Sequence, residues 1–109
     1  MRNTSTFKDY IVDQLASVPR LTPRAMFGGL GLYSGDVFFG ILAADVLYFK
    51  VDDTTRADYE HAHMKPFKPY ADRPMTMGYY TVPLTIIEDS TALCAWAKKA
   101  IAVARRAKK

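Results

Sequence analysis

The sequence lacks the features of secreted, membrane-spanning and metal-binding proteins. Its single cysteine, Cys94, cannot form an internal disulfide, so nothing indicates an oxidising compartment. No apolar run approaches the roughly 20 residues of a membrane span, and residues 1–6 lack the apolar segment of a secretory signal. The histidines, His61 and His63, would point about 200° apart on a helix, and a tetrahedral metal site needs three or four ligands. We therefore expect a cytoplasmic chain without a membrane segment, metal or other cofactor.

The composition is that of one globular domain. Of the 109 residues, 50% are hydrophobic, which suffices for a core because a domain of this size buries roughly two-thirds of its unfolded surface. The low hydrophobicity and high net charge of disordered chains are missing. We expect a single domain over residues 1–109, with its core at about residues 7–107.

The positive charge is concentrated at the C-terminus. Six of the fifteen basic residues fall within residues 98–109, leaving nine basic against eleven acidic residues, a net charge of −2, for residues 1–97. On a helix, most of these cations would lie opposite the apolar stripe and bind nucleic acid weakly and without sequence specificity. The candidate nucleic-acid contacts are Lys98, Lys99, Arg105, Arg106 and Lys109.

Hydrophobic periodicity predicts the first half of the fold. Apolar residues three and four apart predict a helix over residues 7–18, with Thr6 as its N-cap. Residues 22–23 read as a linker. From residue 24 to 51, short β-favouring runs separated by turn signals at residues 34–36 and 44–45 predict an antiparallel meander.

The second half alternates in the same way. Capping residues at 52–55 predict a helix to about residue 63, prolines make residues 66–70 an extended or edge segment, and residues 75–82 alternate as a strand. A short helical turn and a basic, amphipathic last helix follow. The fold class is α+β, with two layers: an antiparallel sheet with flanking helices in the order α-β-β-β(-β)-α-β-β-α.

The residues that carry chemistry are sparse. Gly28-Gly29-Leu30-Gly31 is the nearest match to a phosphate loop, but it leads into a strand rather than a helix, so the glycines have a backbone role in which glycine allows positive φ. Cys94 falls on the apolar side of the last helix, where a buried, inert thiol is expected. Asp52 and Asp53 precede a helix and read as caps. The sequence contains no recognisable set of a nucleophile, a general base and an orienting group, so we do not expect an enzyme.

The aromatic residues are dense, and some are adjacent in strands. Phe38-Phe39 and Tyr79-Tyr80 must each direct one ring to each face of the sheet. One face meets the helices, and the other exposes aromatic area unless something covers it. Such patches mark partner surfaces, and a homodimer is the commonest solution.

Several blocks resemble the N-terminal domain of the TfoX family, which regulates competence genes. They are Ala25-Met26-Phe27-Gly28-Gly29-Leu30-Gly31-Leu32-Tyr33, Leu47-Tyr48-Phe49-Lys50-Val51-Asp52, Pro66-Phe67, Met77-Gly78-Tyr79-Tyr80 and Ala95-Trp96-Ala97-Lys98-Lys99-Ala100. The resemblance spans about residues 10–107. The residues that fit family signatures, which we interpret structurally, are Met26, Phe27, Gly28, Gly29, Gly31, Tyr48, Lys50, Tyr79 and Tyr80.

The resemblance implies a fold like that of type III secretion chaperones, a bacterial cytoplasmic protein and dimerisation. Full-length members are transcriptional co-activators of DNA-uptake genes with a C-terminal helical domain that has no counterpart in these 109 residues. No catalytic residues carry over from the family.

The leading hypothesis is a non-enzymatic regulatory or protein-interaction domain, homodimeric, with a regulator or the transcription machinery as a further partner. Two alternatives stay open. One is a nucleic-acid-binding accessory protein that uses the basic last helix. The other is a small-molecule binder or enzyme at the glycine-rich bend, near Arg24, Tyr48 and Lys50.

Overall fold

A computed structural model describes residues 4–26, 29–66 and 78–107. The described residues form four helices and five strands. In chain order these are α1 (Ser5–Gln14), β1 (Leu21–Met26), β2 (Gly29–Ser34), β3 (Val37–Ala43), β4 (Val46–Lys50), α2 (Arg56–His61), β5 (Tyr79–Thr81), α3 (Leu84–Ile87) and α4 (Ser90–Ala107). The α+β class and the order of elements predicted from the sequence are confirmed.

The sheet is an open antiparallel meander with the strand order β1-β2-β3-β4-β5. Two-residue turns join β2 to β3 and β3 to β4, where Gly35, Ala44 and Asp45 have positive φ. Such backbone angles match the twist of the paired strands. At the far edge, the Thr81 N–H donates to the Lys65 carbonyl at 3.0 Å, so the segment before the second gap lies alongside β5.

The interpretation of residues 22–23 as a linker is wrong, because both lie inside β1. The Gly35 N–H donates to the Arg20 carbonyl at 2.9 Å. Hydrogen bonding alternates along an antiparallel pair, so the backbone polar groups of Thr22 and Arg24 point toward β2, whereas those of Pro23 point away from the edge of the sheet. Proline is tolerated on an edge strand where its missing N–H points away from the sheet.

All four helices contribute to one core on a single face of the sheet, with α4 lying across β3 and β4. Alanines at positions 97, 100 and 104 of α4 are buried, and their small side chains let the helix approach the sheet closely. The largest fully buried side chains among the described residues come from both layers: Phe39, Phe49, Ile11, Leu15, Leu32, Leu42, Leu47, Leu93 and Val103.

Several predicted boundaries shift. Thr4, rather than Thr6, caps α1, accepting a hydrogen bond from the Phe7 N–H at 3.2 Å. The helix stops at Gln14, although Val18 in the following turn still reaches the core. The second helix is shorter than predicted, and β5 occupies only the end of the predicted strand at 75–82. Residues 67–77, like Phe27 and Gly28, lie outside the described residues.

A bulge in β3 decides which side chains face the helices. Leu32 lies opposite Gly40 and Tyr33 opposite Phe38, which leaves Phe39 as an extra residue. As a result Phe39 and Leu42, three positions apart, both join the helix-facing core. Their neighbours on β3 form a second cluster on the other face of the sheet: Phe38, Ile41 and Ala43.

Candidate interaction surface

The face of the sheet turned away from the helices, here called the outer face, carries its own apolar cluster. Phe38 and Tyr48 pack there against Ile41, Ala43 and Tyr79. Tyr79 is 4% exposed, whereas Phe38 and Tyr48 are half-buried. The predicted division of Phe38-Phe39 and Tyr79-Tyr80 between two faces is confirmed, but the aromatic side chains of the outer face are buried or half-buried rather than fully exposed.

The rings of the outer face form a row with a cation at each end. The ring centroids of Tyr33 and Phe38 are 5.0 Å apart, and those of Phe38 and Tyr79 are 5.6 Å apart. The Arg24 guanidinium lies 4.8 Å from the centroid of Tyr33, and Lys50 Nζ lies 5.0 Å from that of Tyr79. Cation–π attraction at these distances holds both charges over the rings. We call these five side chains the aromatic row.

Two glycines of the predicted signature make room on this face. A Cβ atom at Gly31 would collide with the sulfur of Met26 and lie 3.1–3.2 Å from the rings of Tyr33 and Phe38. A Cβ atom at Gly29 would lie 2.6 Å from the Leu42 carbonyl oxygen. Positive φ was the expected reason for these glycines, but neither has it. The role of these glycines is to leave room for neighbouring atoms that a Cβ atom would displace.

Burial on the outer face suppresses ionisation of its tyrosines. Burial, with the neighbouring Tyr33 as a smaller cause, raises the pKa of Tyr79 to about 12. Burial also raises the pKa of Tyr48. Both hydroxyls therefore stay protonated at neutral pH, and the only charges of the aromatic row are those of Arg24 and Lys50.

The structure places six of the nine signature residues on the outer face and directs Tyr80 to the helix side, where its ring centroid is 6.0 Å from that of Tyr59. Phe27 and Gly28 lie outside the described residues. The six are Met26, Gly29, Gly31, Tyr48, Lys50 and Tyr79.

The grouping expected for a small-molecule site is spread out. Arg24 pairs with Gly31 on β2, and Gly31 pairs with Ile41, which pairs with Tyr48. Arg24 and Tyr48 therefore stand three strand spacings apart, about 14 Å between backbones. Lys50 lies opposite Tyr79, in the row of the aromatic residues and away from Gly31.

The basic last helix has two different sides. Lys99 and Arg106 form salt bridges with Asp58 (3.4 Å) and Asp52 (2.9 Å). Within residues 4–26, 29–66 and 78–107, no salt bridge involves Lys98 or Arg105. Lys109 lies outside the described residues. The predicted cationic face is thus half neutralised by carboxylates of the domain itself.

The other candidate residues are placed as follows. Cys94 is buried, and its Sγ lies 3.4 Å from the Gln14 carbonyl oxygen. His61 and His63 are exposed at the end of α2. The described residues contain no cluster of three or more metal-ligating side chains. None of the helices that the structure describes is long and apolar enough to cross a lipid bilayer.

An open five-stranded antiparallel sheet, with helices on one face and a cation-flanked aromatic row on the other, defines an α+β two-layer domain. A model of the family described as the TfoX N-terminal domain matches residues 13–104. The match covers most of the chain, which therefore belongs to this family, and the resemblance seen in the sequence blocks is confirmed. No curated protein matches the chain.

Proposed function

We propose that this chain is a non-enzymatic regulatory domain that works by binding proteins, and that its first partner is a second copy of itself. The observation that carries the proposal is the aromatic row on the outer face. A sheet in a two-layer domain needs only one apolar face to build its core. A second face lined with tyrosine, phenylalanine and cations is therefore available for a partner.

The outer face has the composition of a protein interface. Interfaces combine an apolar centre, enriched in aromatic residues and arginine, with a polar rim. Phe38 lies at the centre of the row, between Tyr33 and Tyr79. Arg24 and Lys50 flank it. The same patch on two copies gives a closed dimer with two-fold symmetry.

The sheet edges suit self-association less well than the face does. Strand addition needs a row of unpaired backbone groups along an edge. On β1 that row is interrupted by Pro23, and beside β5 it is occupied by the hydrogen bond from Thr81 to Lys65. Both devices protect edges against pairing with another chain.

Sedimentation equilibrium over the micromolar range tests the dimer. We expect a mass of about twice 12.3 kDa at the higher concentrations. Phe38→Ser, which removes the central ring, weakens association at least tenfold, and Arg24→Glu at the rim weakens it less. Leu84→Ser is the matched control, because Leu84 is 64% exposed on α3, away from the outer face.

Two results would contradict the dimer. One is a single 12.3 kDa species at every concentration. The other is equal weakening by Phe38→Ser and Leu84→Ser. Fluorescence of Trp96, the one tryptophan of the chain, checks that each variant is folded.

Membership of the TfoX N-terminal domain family is the reason to propose a regulatory role in addition to dimerisation. We infer that the domain controls transcription of DNA-uptake genes through contact with a regulator or with the transcription machinery. The test compares transcript levels of those genes in the native host with this chain deleted, restored, or restored as Phe38→Ser. Transcript levels that stay unchanged on deletion would refute a role in competence.

A further inference from the structure

We propose that a cleft between α4 and the start of β1 binds an acidic peptide segment of a partner protein. The cleft is lined by side chains from three parts of the chain and has a volume of about 210 Å³. It lies apart from the aromatic row, and its test does not depend on self-association. The lining residues are Pro19, Ser34, Lys98, Ile101, Ala102 and Arg105.

The cations of this cleft differ from the other cations of α4. Lys98 and Arg105 are seven residues apart, so two helical turns bring them to the same side of α4. Lys99 and Arg106 occupy the adjacent side and are bridged to Asp58 and Asp52. Among the described residues, the Lys98 and Arg105 side chains have no such carboxylate, although both line the cleft.

A third cation, Arg20, is next in the chain to the lining residue Pro19, and its backbone is fixed by hydrogen bonds. Arg20 follows Pro19 and has a φ of 50°, a left-handed conformation that costs a non-glycine residue roughly 1–2 kcal/mol. Its carbonyl accepts hydrogen bonds from the Gly35 N–H and the Thr22 hydroxyl, both at 2.9 Å. Its guanidinium packs against Gly35, where a Cβ atom would lie 2.6 Å from Nη2. Ser34, the neighbour of Gly35, lines the cleft.

The acidic residue nearest in sequence to the residues that line this cleft is Asp36. Asp36 follows Gly35 but lines a separate cleft with Phe38 and Lys50. Thus the cleft that Lys98 and Arg105 border has no acidic side chain among its lining residues. Charge complementarity therefore selects an anionic partner.

The floor of the cleft favours a peptide over nucleic acid. Pro19, Ile101 and Ala102 present apolar surface between the cations, and the Ser34 hydroxyl already donates to the Pro19 carbonyl at 2.7 Å. An acidic peptide supplies carboxylates for the rim and an aliphatic side chain for the floor. Phosphate contacts would be few, because carboxylates bind half of the described cations of the helix. The volume is also below the roughly 300–1,000 Å³ of pockets for drug-sized ligands.

Fluorescence anisotropy at low salt tests the site. The probe is a fluorescein-labelled peptide of four Glu-Asp-Leu repeats. We expect saturable binding that Lys98→Glu with Arg105→Glu weakens roughly tenfold, since two charge contacts become repulsive. The charge-matched control, Lys99→Glu with Arg106→Glu, weakens it less than threefold. A probe with serine in place of leucine binds less tightly because it leaves the apolar floor uncovered.

Three outcomes would overturn the proposal. The first is no saturable binding of the peptide to the unaltered chain. The second is equal weakening by the two double variants, which would show attraction to net charge rather than to this cleft. The third is tighter binding of a single-stranded oligonucleotide, lost in the Lys98→Glu and Arg105→Glu variant, which would make nucleic acid the occupant. Sedimentation of the same variants separates this result from the dimer, which we expect them to retain.

Discussion

The two glycines of β2 that face outward give the sharpest test of how the outer face is packed. At Gly31 an added Cβ atom meets side chains: the sulfur of Met26 and the rings of Tyr33 and Phe38. At Gly29 it meets backbone, the carbonyl oxygen of Leu42 at 2.6 Å. The first clash is relieved when a flexible side chain moves, whereas the second needs β2 and β3 to separate.

The difference sets the expected magnitudes. Overpacking costs about 1–3 kcal/mol, and replacing a strand glycine by alanine returns roughly 0.5–1 kcal/mol. We expect Gly31→Ala to lower the free energy of unfolding by about 1 kcal/mol and Gly29→Ala by about 2 kcal/mol. Adding Met26→Ala should recover part of the loss at Gly31 and none of it at Gly29.

Urea unfolding monitored by Trp96 fluorescence measures the free energy of unfolding of five variants: Gly29→Ala, Gly31→Ala, Met26→Ala and the two double variants that combine Met26→Ala with each glycine substitution. The indole of Trp96 packs edge-on against Tyr59 at 4.7 Å, on the helix side of the sheet, so its signal reports global unfolding rather than changes on the outer face. A double-mutant cycle then gives the coupling between positions 26 and 31. Equal coupling of Met26→Ala to both glycine variants, or a Gly31→Ala protein more stable than the parent, would refute the packing described here.

Three further predictions concern stability. Ala44→Gly should stabilise by about 0.5 kcal/mol or more in urea unfolding, because glycine removes the left-handed cost at φ 52°; a loss would refute it. Hydrogen bonds from Thr54 and Arg106 lower the pKa of Asp52 from 3.8 to about 2. The ionised carboxylate therefore contributes to the free energy of unfolding above pH 4, and this contribution is lost toward pH 2. Because the Asp52 side chain is 35% exposed, the contribution is under about 1 kcal/mol. Arg106→Ala should raise that pKa in an NMR titration. Burial raises the pKa of Tyr79 to about 12, so the neutral hydroxyl's full contribution to the free energy of unfolding is present below pH 10 and is lost toward pH 12. Tyr79→Phe cannot ionise, so it should unfold with up to about 1.4 kcal/mol less loss of stability at pH 11 than the parent. At pH 8 the substitution should make no such difference.

The sequence predicts the architecture because turns and periodicity are local signals. The breaks at residues 34–36 and 44–45 coincide with the two tight turns, and the apolar stripe of α4 is buried as expected. The failures occur where long-range contacts decide. Pro23 looks like a linker residue until β1 is known to be an edge strand.

The outer face is only partly predictable for the same reason. Adjacent aromatic residues show that both faces carry rings, but not which rings touch. The contact between Tyr33 and Phe38 depends on register, and register depends on the bulge at Phe39, which a two-residue alternation does not reveal. The pairing of Arg24 with Tyr33 and of Lys50 with Tyr79 depends on that register as well.

The distribution of signature residues bears on the role of the outer face. Residues needed only for folding belong in the main core, as Tyr80 does beside Tyr59. Gly31 instead gives up a side chain so that Met26 and the aromatic row fit on the outer face, and Gly29 gives one up where the backbone of β3 comes close. Glycine in a strand loses conformational entropy on folding and contributes no side-chain packing. That the sheet accepts this cost twice on the face away from its helices supports the binding role proposed for this domain.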